Sequence, residues 1–492
     1  MNTEQQSTHI IRLQVVEPEE KPAELTAVFH FAPEKPSIGQ PGREPGDVLV
    51  IPQTTGGHTV VVSLGKADNC SAETARQAGG ALGKWLTGSG AELIDLDLDA
   101  LQQTLAEHPE LAYPDIAAAI CEGLRLGAYR FEKYKQRDDS RPALTARLRV
   151  QKEREFHRDL VKHVEAVTNA VILARDLAHE PANVINPMTL AERAAEVARQ
   201  HQLRLRVLDE KELSEMGAGA ILAVGKGSKT PPRIIVLEYT GNNGQGSISD
   251  KRPVVLVGKA ITFDTGGYSL KNTEGIVGMK YDKSGGVDVL AVMQAAAELK
   301  IKTPLVGIIS AAENMISGES YRPDDIVTAL NGKTVEIVST DAEGRLVLAD
   351  AIVLAQREYK PRALIDLATL TGGVLVALGR ARAALLSNDD DLANQLYAAG
   401  EKTFERLWRL PLDEDFAHAI KGDDADLKNS GGREGHCIIG GAFIQEFIEK
   451  GTPWAHLDIA GVANAPKDLP YTPKGPTGFG VRLLVEYLKS LD

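Results

Sequence analysis

The stretch Ser339-Thr340-Asp341-Ala342-Glu343-Gly344-Arg345-Leu346 places two carboxylates two residues apart and an arginine two residues further on. It follows a β-rich run at 334–338 and precedes an apolar, helix-like run at 346–354. The carboxylates are therefore expected on a strand-to-helix turn, where backbone N–H groups are free and the helix dipole is positive. In open α/β sheets, such turns line the crevice where ligands bind.

Asp341 and Glu343 have three interpretations in this position. Acidic residues favour the first turn of a helix, so capping and solvation explain them without any function. They can also ligate a hard metal ion or act as general bases. The octapeptide by itself favours the capping interpretation.

Two further loops carry acidic residues next to apolar runs. Residues 259–271 (KAITFDTGGYSLK) follow a buried-type strand and contain Asp264, and residues 279–286 (MKYDKSGG) contain Asp282 and open a helix. Loops at strand ends can converge on one point. Carboxylate oxygens bind divalent ions, and two bridged ions clamp the attacking and leaving oxygens of a hydrolysis. A lysine beside such ions is expected to have a lowered pKa, because like charge and desolvation disfavour its ammonium form.

The composition indicates a globular protein of about two domains. The chain has 492 residues, of which 43% are hydrophobic and 25% charged, and 55 basic against 68 acidic residues give a formal charge of −13. This charge argues weakly against nucleic-acid and anionic-membrane partners. Three widely spaced cysteines predict no disulfide framework and fit a reducing compartment. Met1–Gln6 shows no signal-peptide pattern and no window is apolar enough for a membrane span, so a cytoplasmic location is expected.

The pattern of strands and helices predicts an α/β protein. Residues 1–151 are expected to form a smaller N-terminal α/β domain, residues 152–178 a connecting helix, and residues 179–492 a larger catalytic domain. Segments 33–46 and 241–249 are expected to be loops, because the first is rich in proline and glycine and the second is polar and rich in glycine. In the larger domain, strands alternate with helices, which is typical of a mixed, mainly parallel sheet covered by helices.

These residues identify a resemblance: the chain is similar to the leucyl aminopeptidase family, the dizinc cytosol aminopeptidases. The resemblance covers roughly residues 174–488. Besides the stretches above, it rests on blocks in the family's order at 181–183 (PAN), 216–220 (MGAGA), 313–315 (ENM), 321–323 (YRP), 367–372 (LATLTG), 425–429 (ADLKN) and 453–461 (PWAHLDIAG). It implies a metal-dependent exopeptidase that removes N-terminal residues, with broad, leucine-type specificity, from peptides with a free N-terminus.

The resemblance also implies a set of metal ligands: Lys259, Asp264, Asp282, Asp341 and Glu343. Glu343 and Asp264 would bridge both ions, Asp341 would serve one ion, and Asp282 and Lys259 would complete the other. Zinc is the family expectation, and manganese, magnesium or cobalt can exchange at the looser site. The alternative without function is a network of ion pairs.

Two cationic residues match catalytic positions of the family. Lys271 would polarise the scissile carbonyl and stabilise the oxyanion. Arg345 would hold a bicarbonate ion as the general base; its alternative is a salt bridge to the carboxylates of the octapeptide. His418, His436 and His456 lack metal-ligand spacing, and His456 is expected to be a core residue.

Substrate contacts are implied at five positions, two of which are already named above. The free α-amine would pair with Asp282, while Thr369, Leu370 and Gly372 would contact the substrate backbone together with Lys271. Leu370 considered alone would be a core residue.

The chain departs from the family pattern at several positions, of which Lys283 is the most consequential. Relatives often carry methionine there, lining the specificity pocket, so a lysine would add charge to that pocket or turn away. One hypothesis is that Lys283 favours acidic or polar N-terminal residues. Ser339, Ile316 and segment 436–441 also differ from the family pattern.

Two other functional classes stay open at this point. The family scaffold could serve a nucleic-acid-binding or chaperone-like protein, and a two-metal centre could act on a phosphoester. The phosphoester alternative leaves the placement of Lys259 and Lys271 unexplained. The family assembly is a homohexamer, a dimer of trimers, which is carried over as an expectation.

Overall fold

The computed structural model describes residues 10–17, 19–32, 42, 44–54, 56–136, 143–241, 248 and 251–492. The expectation for Met1–Gln6 and most of the loops expected at 33–46 and 241–249 lie outside these residues. Contacts divide the chain into two compact units, residues 1–172 with 465–475 and residues 173–464 with 476–492. The functional domain boundaries given above stay a prediction.

The first unit contains a six-stranded sheet and several helices. Its strands are β1 (Arg12–Val16), β2 (Leu25–His30), β3 (Val48–Pro52), β4 (His58–Ser63), β5 (Leu93–Asp97) and β6 (Thr145–Arg149). Its helices are α1 (Ala72–Ser89), α2 (Leu98–Leu105) and α3 (Tyr113–Ala128), and α4 (Arg154–His179) begins in this unit and ends in the second. The strand order is β1-β6-β5-β2-β4-β3, and all neighbours are parallel except β4 and β3.

The local sequence explains why these elements form and why some of the strands are hard to predict from the sequence. Ser71 begins α1 with a capping box shared with Thr74, as its sequence pattern favours. Strands β2, β5 and β6 were not recognised, because polar residues interrupt their short apolar runs. Asp95 on β5 is buried and pairs with Arg147 on β6 at 2.7 Å, so an ion pair replaces the expected apolar contact.

The second unit contains the larger sheet. The strands of the second unit are β7 (Arg204–Leu208), β8 (Arg233–Tyr239), β9 (Val254–Asp264), β10 (Leu305–Asn314), β11 (Ile326–Thr328), β12 (Thr334–Glu336), β13 (Ala363–Ala368), β14 (Ala383–Ser387), β15 (Leu407–Arg409), β16 (Leu427–Lys428) and β17 (Trp454–Asp458). Two short strands, β18 (Asn464–Ala465) and β19 (Gly475–Pro476), lie where the chain passes between the units.

The second unit also contains helices, several of which pack on this sheet. They are α5 (Pro187–His201), α6 (Glu210–Met216), α7 (Gly219–Gly225), α8 (Thr273–Ile276), α9 (Ser284–Glu298), α10 (Gly344–Tyr359), α11 (Gly372–Leu378), α12 (Asp390–Thr403), α13 (Glu414–Ala417), α14 (His436–Gln445) and α15 (Val481–Ser490), and a 3₁₀ turn at Met279–Lys283 leads directly into α9. None of the helices that the structure describes combines the length and apolar character needed to cross a bilayer.

The large sheet has the strand order β15-β14-β17-β13-β9-β10-β8-β7. Strands β17, β13, β9 and β10 are mutually parallel at its centre, and antiparallel neighbours flank them. This arrangement confirms the α/β class and the mixed, mainly parallel sheet. The central strands are buried along nearly their whole length, which explains their continuous apolar runs.

Two buried helices lie on opposite faces of the central strands. Val255 and Val257 share an apolar cluster with residues of α10, whereas Gly285 and Gly286 of α9 approach Gly258 and Ala260. Side chains alternate between the two faces along a strand. Lys259 therefore shares the face of Val257 and points towards α10.

The parallel strands bring their carboxyl ends to one edge. Strand β17 ends at Asp458, β13 just before Thr369, β9 at Asp264 and β10 at Asn314. The octapeptide reaches this edge differently from the expectation. Strand β12, which precedes it, pairs with β11 and β16 in a separate three-stranded sheet, so the N-terminus of α10 brings Glu343 to the site.

Candidate metal and substrate site

The turn before α10 is fixed by one buried threonine. Thr340 donates its hydroxyl proton to the Gly266 carbonyl at 2.6 Å and accepts from the Ser269 amide at 2.8 Å. The Thr340 carbonyl in turn accepts from the Tyr321 hydroxyl at 2.7 Å. These bonds hold the turn that carries Asp341 against the loop that follows β9.

The capping interpretation of the octapeptide is wrong in this structure. Glu343 occupies the residue before α10, but its side chain accepts no capping hydrogen bond from the helix. It lies buried beside Lys259, and Asp341 lies beside Lys271. Both carboxylates are therefore directed into a cluster of charges.

All five predicted metal ligands and Lys271 come together at this edge. Lys259 Nζ lies 2.9 Å from both Asp282 Oδ1 and Glu343 Oε1. Lys271 Nζ lies 2.7 Å from Asp264 Oδ2 and also contacts Asp341. Each lysine thus lies between two carboxylates. Oxygens of Asp264, Asp341 and Glu343 all lie within 4.8 Å of one another.

Two carboxylate oxygens in this cluster fit a cation. Asp282 Oδ2 and Glu343 Oε2 are buried and accept no hydrogen bond. Burial, and then the charge of Asp264, raise the pKa of Glu343 to about 8. Burial also raises the pKa of Asp282, to about 6. Ion pairs alone leave these two oxygens unsatisfied, whereas hard divalent ions prefer such donors.

The carboxylates also control the two lysines. Burial lowers the pKa of Lys259, but Asp282, Glu343 and Asp264 outweigh it and hold that pKa above its ordinary value. The pKa of Lys271 is raised in the same way against the effect of burial. The lowered lysine pKa inferred from the sequence depends on bound cations and stays a prediction.

Close packing explains the glycine that follows Glu343. A Cβ atom on Gly344 would lie 2.7 Å from both Cε and Nζ of Lys259. Gly344 is therefore required for the lysine to reach Asp282 and Glu343 beneath the start of α10.

Asn314, at the end of β10, orients one of the predicted ligands. Its Nδ2 donates to Asp264 Oδ1 at 2.8 Å and to the Thr340 carbonyl at 3.0 Å. The sequence analysis noted Asn314 as part of a family block and gave it no role. Its position at the end of a buried strand, beside that of Asp264, was the available signal.

The predicted substrate residues lie on the loop between β13 and α11. Thr369 donates its hydroxyl proton to Asp282 Oδ1 at 2.7 Å, and its carbonyl accepts from Lys259 at 2.9 Å. Leu370 is half-buried against the apolar core, and Gly372 is exposed at the first position of α11. The loop therefore joins the charge cluster to solvent.

Asp458 holds this loop in place and was missed as an individual residue. Its carboxylate accepts from the Thr371 hydroxyl at 2.7 Å and from the Leu370 amide at 3.2 Å. It is fully buried at the end of β17. A strand that ends in aspartate next to the LATLTG block was the available signal.

Arg345 lies buried behind the same loop. Its Nη1 donates to the Asn429 carbonyl at 2.7 Å, while its Nε is buried without a hydrogen-bond partner. Burial lowers its pKa to about 10. Among the ion pairs of the described residues, none joins Arg345 to Asp341 or Glu343, so the salt-bridge alternative is not observed.

One histidine does approach this region, although its position in the sequence gave no metal-ligand spacing. His436 is half-buried at the start of α14, and its Nδ1 lies 3.5 Å from where a Cβ of Gly373 would be. Burial and the charge of Arg345 lower its pKa. His456, by contrast, is a core residue as expected, with Nδ1 2.6 Å from Asp366.

Lys283 turns away from the surface, which is the second of the two alternatives considered. It is 0% exposed. Its Nζ donates to the carbonyls of Ala178 at 3.2 Å and Glu180 at 2.8 Å and also contacts the Lys280 carbonyl. Burial, and the charge of Lys280, lower its pKa to about 7. The structure thus removes the basis for a preference for acidic N-terminal residues.

Comparison with known proteins identifies the family of this chain. Residues 172–485 match the model of the cytosol aminopeptidase family, catalytic domain, and residues 41–138 match that of its N-terminal domain. A probable cytosol aminopeptidase of Geobacter sp. (strain M21) is 43% identical over 433 residues, which cover 87% of this chain and 85% of the relative. That of Geobacter sulfurreducens is 44% identical over 435 residues, 88% of this chain and 84% of the relative.

A solved structure is also similar. The bottromycin maturation enzyme BotP in complex with Mn superposes with a TM-score of 0.86 at 34% identity, covering 95% of this chain and 99% of that one.

Proposed function

The chain belongs to the cytosol aminopeptidase family, and we propose that the charge cluster at the carboxyl edge of its large sheet performs the reaction of that family. The protein is a metal-dependent aminopeptidase that removes N-terminal residues from peptides. The observation that carries the assignment is the convergence of four carboxylates and two lysines, with two buried carboxylate oxygens left unpartnered.

Five side chains would hold two divalent ions: Lys259, Asp264, Asp282, Asp341 and Glu343. Bound ions supply Lewis-acid activation of water and of the scissile carbonyl. We propose zinc or manganese, with magnesium or cobalt as exchangeable alternatives. The three carboxylates Asp264, Asp341 and Glu343 together support a hard ion. The nitrogen of Lys259 is the only nitrogen ligand proposed, and it makes the second ion position different from the first.

The protein's own groups then bind and orient the substrate. Lys271 is the group placed to donate a hydrogen bond to the developing oxyanion, because its Nζ lies at the exposed side of the cluster beside Asp264. Asp282 would pair with the free α-amine of the substrate, which explains why an internal peptide bond is not attacked. Thr369, Leu370 and Gly372 would contact the substrate backbone.

Arg345 is proposed to bind bicarbonate as the general base. Its buried Nε without a hydrogen-bond partner supports an anion near the guanidinium. For specificity, we propose a broad, leucine-type preference. The buried amino group of Lys283 supports this, because it adds no charge at the surface.

The remaining assignments follow from family membership. We propose a cytoplasmic homohexamer, a dimer of trimers, acting on peptides with a free N-terminus. We also propose residues 1–151 as the N-terminal domain, 152–178 as the connecting helix and 179–492 as the catalytic domain. Neither the site nor the relatives favour the nucleic-acid-binding or chaperone-like alternative.

A panel of aminoacyl p-nitroanilides tests the function. Manganese-loaded enzyme is expected to hydrolyse the leucine substrate well, the aspartate substrate poorly, and N-acetyl-leucine p-nitroanilide not at all. Equal hydrolysis of the acetylated and free substrates would contradict amine recognition. Faster hydrolysis of the aspartate substrate would contradict the proposed specificity.

A further inference from the structure

The 3₁₀ turn at Met279–Lys283 is attached on both sides of Asp282. On one side, Asp282 Oδ1 accepts hydrogen bonds from Lys259 and Thr369 within the charge cluster. On the other side, the next residue, Lys283, is fully buried, and its amino group binds main-chain carbonyls outside the cluster. The turn is therefore a link between the site and whatever Lys283 binds.

Lys283 binds the end of helix α4. The carbonyls of Ala178 and Glu180, which lie in the last turn of α4 and just after it, accept from its Nζ. A third contact, to the Lys280 carbonyl, closes the turn on itself. Three acceptors match the three N–H groups that a lysine can donate. The last carbonyls of a helix lack partners within the helix, so Lys283 satisfies groups that need a donor.

Neighbouring residues of the turn bind the same helix end. Lys280 Nζ donates to the His179 carbonyl at 2.7 Å. The ring of Tyr281 packs edge-on against that of His179, with centroids 6.0 Å apart. Consecutive carbonyls at 178, 179 and 180 are thus all held by one turn. These contacts hold the turn against the C-terminal end of α4.

We propose that Lys283 is a positioning residue for metal binding: it fixes the turn that carries Asp282 to the C-terminal end of α4, and thereby sets the affinity of the ion that Asp282 binds. This inference rests on the proposed ligand role of Asp282. Lys283 touches neither substrate nor ion and acts through Asp282 alone. It gives a buried lysine beside the site a function other than substrate selection.

Metal titration of the metal-free enzyme tests the proposal. Isothermal titration calorimetry with Mn²⁺ is expected to show two binding steps for the wild type and one for Asp282→Asn. Lys283→Met should weaken the step that Asp282→Asn abolishes by about 10- to 100-fold and leave the other within about threefold. Lys280→Met, at a half-buried residue that binds one carbonyl, should weaken the same step by a smaller factor.

Lys333→Met is the matched control. Lys333 also binds a main-chain carbonyl, that of Glu446, within the same unit. The control should keep both binding steps, even where its melting temperature falls as much as that of Lys283→Met. Weakening of only one binding step indicates a positioning role, because a general loss of stability would not be confined to one step.

Four outcomes would overturn the proposal. Lys283→Met could bind both ions as the wild type does, or lose both equally. If Lys283→Met does not fold, an unaltered titration of Lys280→Met would overturn it. If Asp282→Asn keeps both steps, the ligand role of Asp282 fails first, and the positioning role falls with it.

Discussion

Asp264, a proposed metal ligand, is oriented by a residue that is not among the proposed ligands. Asn314 donates to Asp264 Oδ1, while Lys271 contacts Oδ2, so the two oxygens have different partners. An amide donor on one oxygen fixes the direction of the other. Partners of this kind typically change metal affinity or activity 10- to 100-fold when removed.

We predict that Asn314→Ala lowers manganese affinity by about 10- to 100-fold. The reason is that Asp264 Oδ1 loses one of its two amide donors and keeps only the Gly266 backbone amide, so the carboxylate is held less firmly. Equilibrium titration of the metal-free protein measures the effect. Asn388→Ala is the control, since Asn388 also donates to a carbonyl, that of Thr452, away from the predicted site residues. Equal affinities for both variants would contradict the role of Asn314.

Asp288, on α9, is a buried charge without a function in the site. Its Oδ2 is buried and accepts no hydrogen bond. Burial, and then the charge of Glu405, raise its pKa well above the ordinary value for aspartate. Its folded form therefore binds a proton more tightly than its unfolded form, and this contribution to stability is lost as the pH rises.

Asp288→Ala should accordingly be more stable than the wild type at pH 8, by about 1–3 kcal/mol. The gain should shrink as the pH falls towards about 4, because the carboxyl group is then protonated in the folded state and about half protonated in the unfolded state. Urea unfolding of the metal-free proteins at several pH values measures the difference. A gain that is the same at every pH would show that Asp288 is not the titrating group.

At the scale of elements, the loop between β13 and α11 depends on strand β17. Asp458 accepts from the amide of Leu370 and from the hydroxyl of Thr371, which itself caps α11. Without that carboxylate, buried N–H and O–H groups lose their acceptor. The loop that is proposed to contact substrate is thus positioned by a residue on the neighbouring strand.

Asp458→Ala is expected to lower kcat/KM by about tenfold or more, because displaced binding groups no longer hold the substrate in its reactive orientation. Amide hydrogen exchange should show loss of protection at Leu370. Asp389→Ala provides the control, as Asp389 accepts from the Leu392 amide at the start of α12. Unchanged protection and unchanged kcat/KM would contradict this account of the loop.

The elements also show what the sequence could and could not predict. Apolar runs located the central strands β9, β10 and β13, because strands buried on both faces leave continuous patterns. The octapeptide was placed after a strand of the main sheet, but β12 belongs to a small separate sheet. Strand pairing depends on long-range contacts, which local periodicity does not contain.

The direction in which a side chain points was the other feature that the sequence could not predict. The sequence located Lys283 next to Asp282, but adjacent residues can point in opposite directions, and its amino group binds carbonyls of α4. His436 was dismissed for lack of ligand spacing, although folding brings α14 beside Gly373. In both cases the contact partner lies more than sixty residues away along the chain.

At the scale of the whole molecule, the chain brings acidic residues from three loops to one edge of the large sheet. The four carboxylates Asp264, Asp282, Asp341 and Glu343 face the two lysines Lys259 and Lys271. We propose that this cluster is a two-metal centre for aminopeptidase chemistry. Glu343 is its most informative member, because it is buried and has an oxygen without a partner.

The most direct test is to titrate metal-free enzyme with Mn²⁺ while following leucine p-nitroanilide hydrolysis. The wild type should reach full activity at two ions per chain. Glu343→Gln, which keeps the size of the side chain and removes its charge, should be at least about 100-fold less active at every metal concentration. Full activity of the metal-free wild type, or wild-type activity of Glu343→Gln, would contradict the two-metal centre.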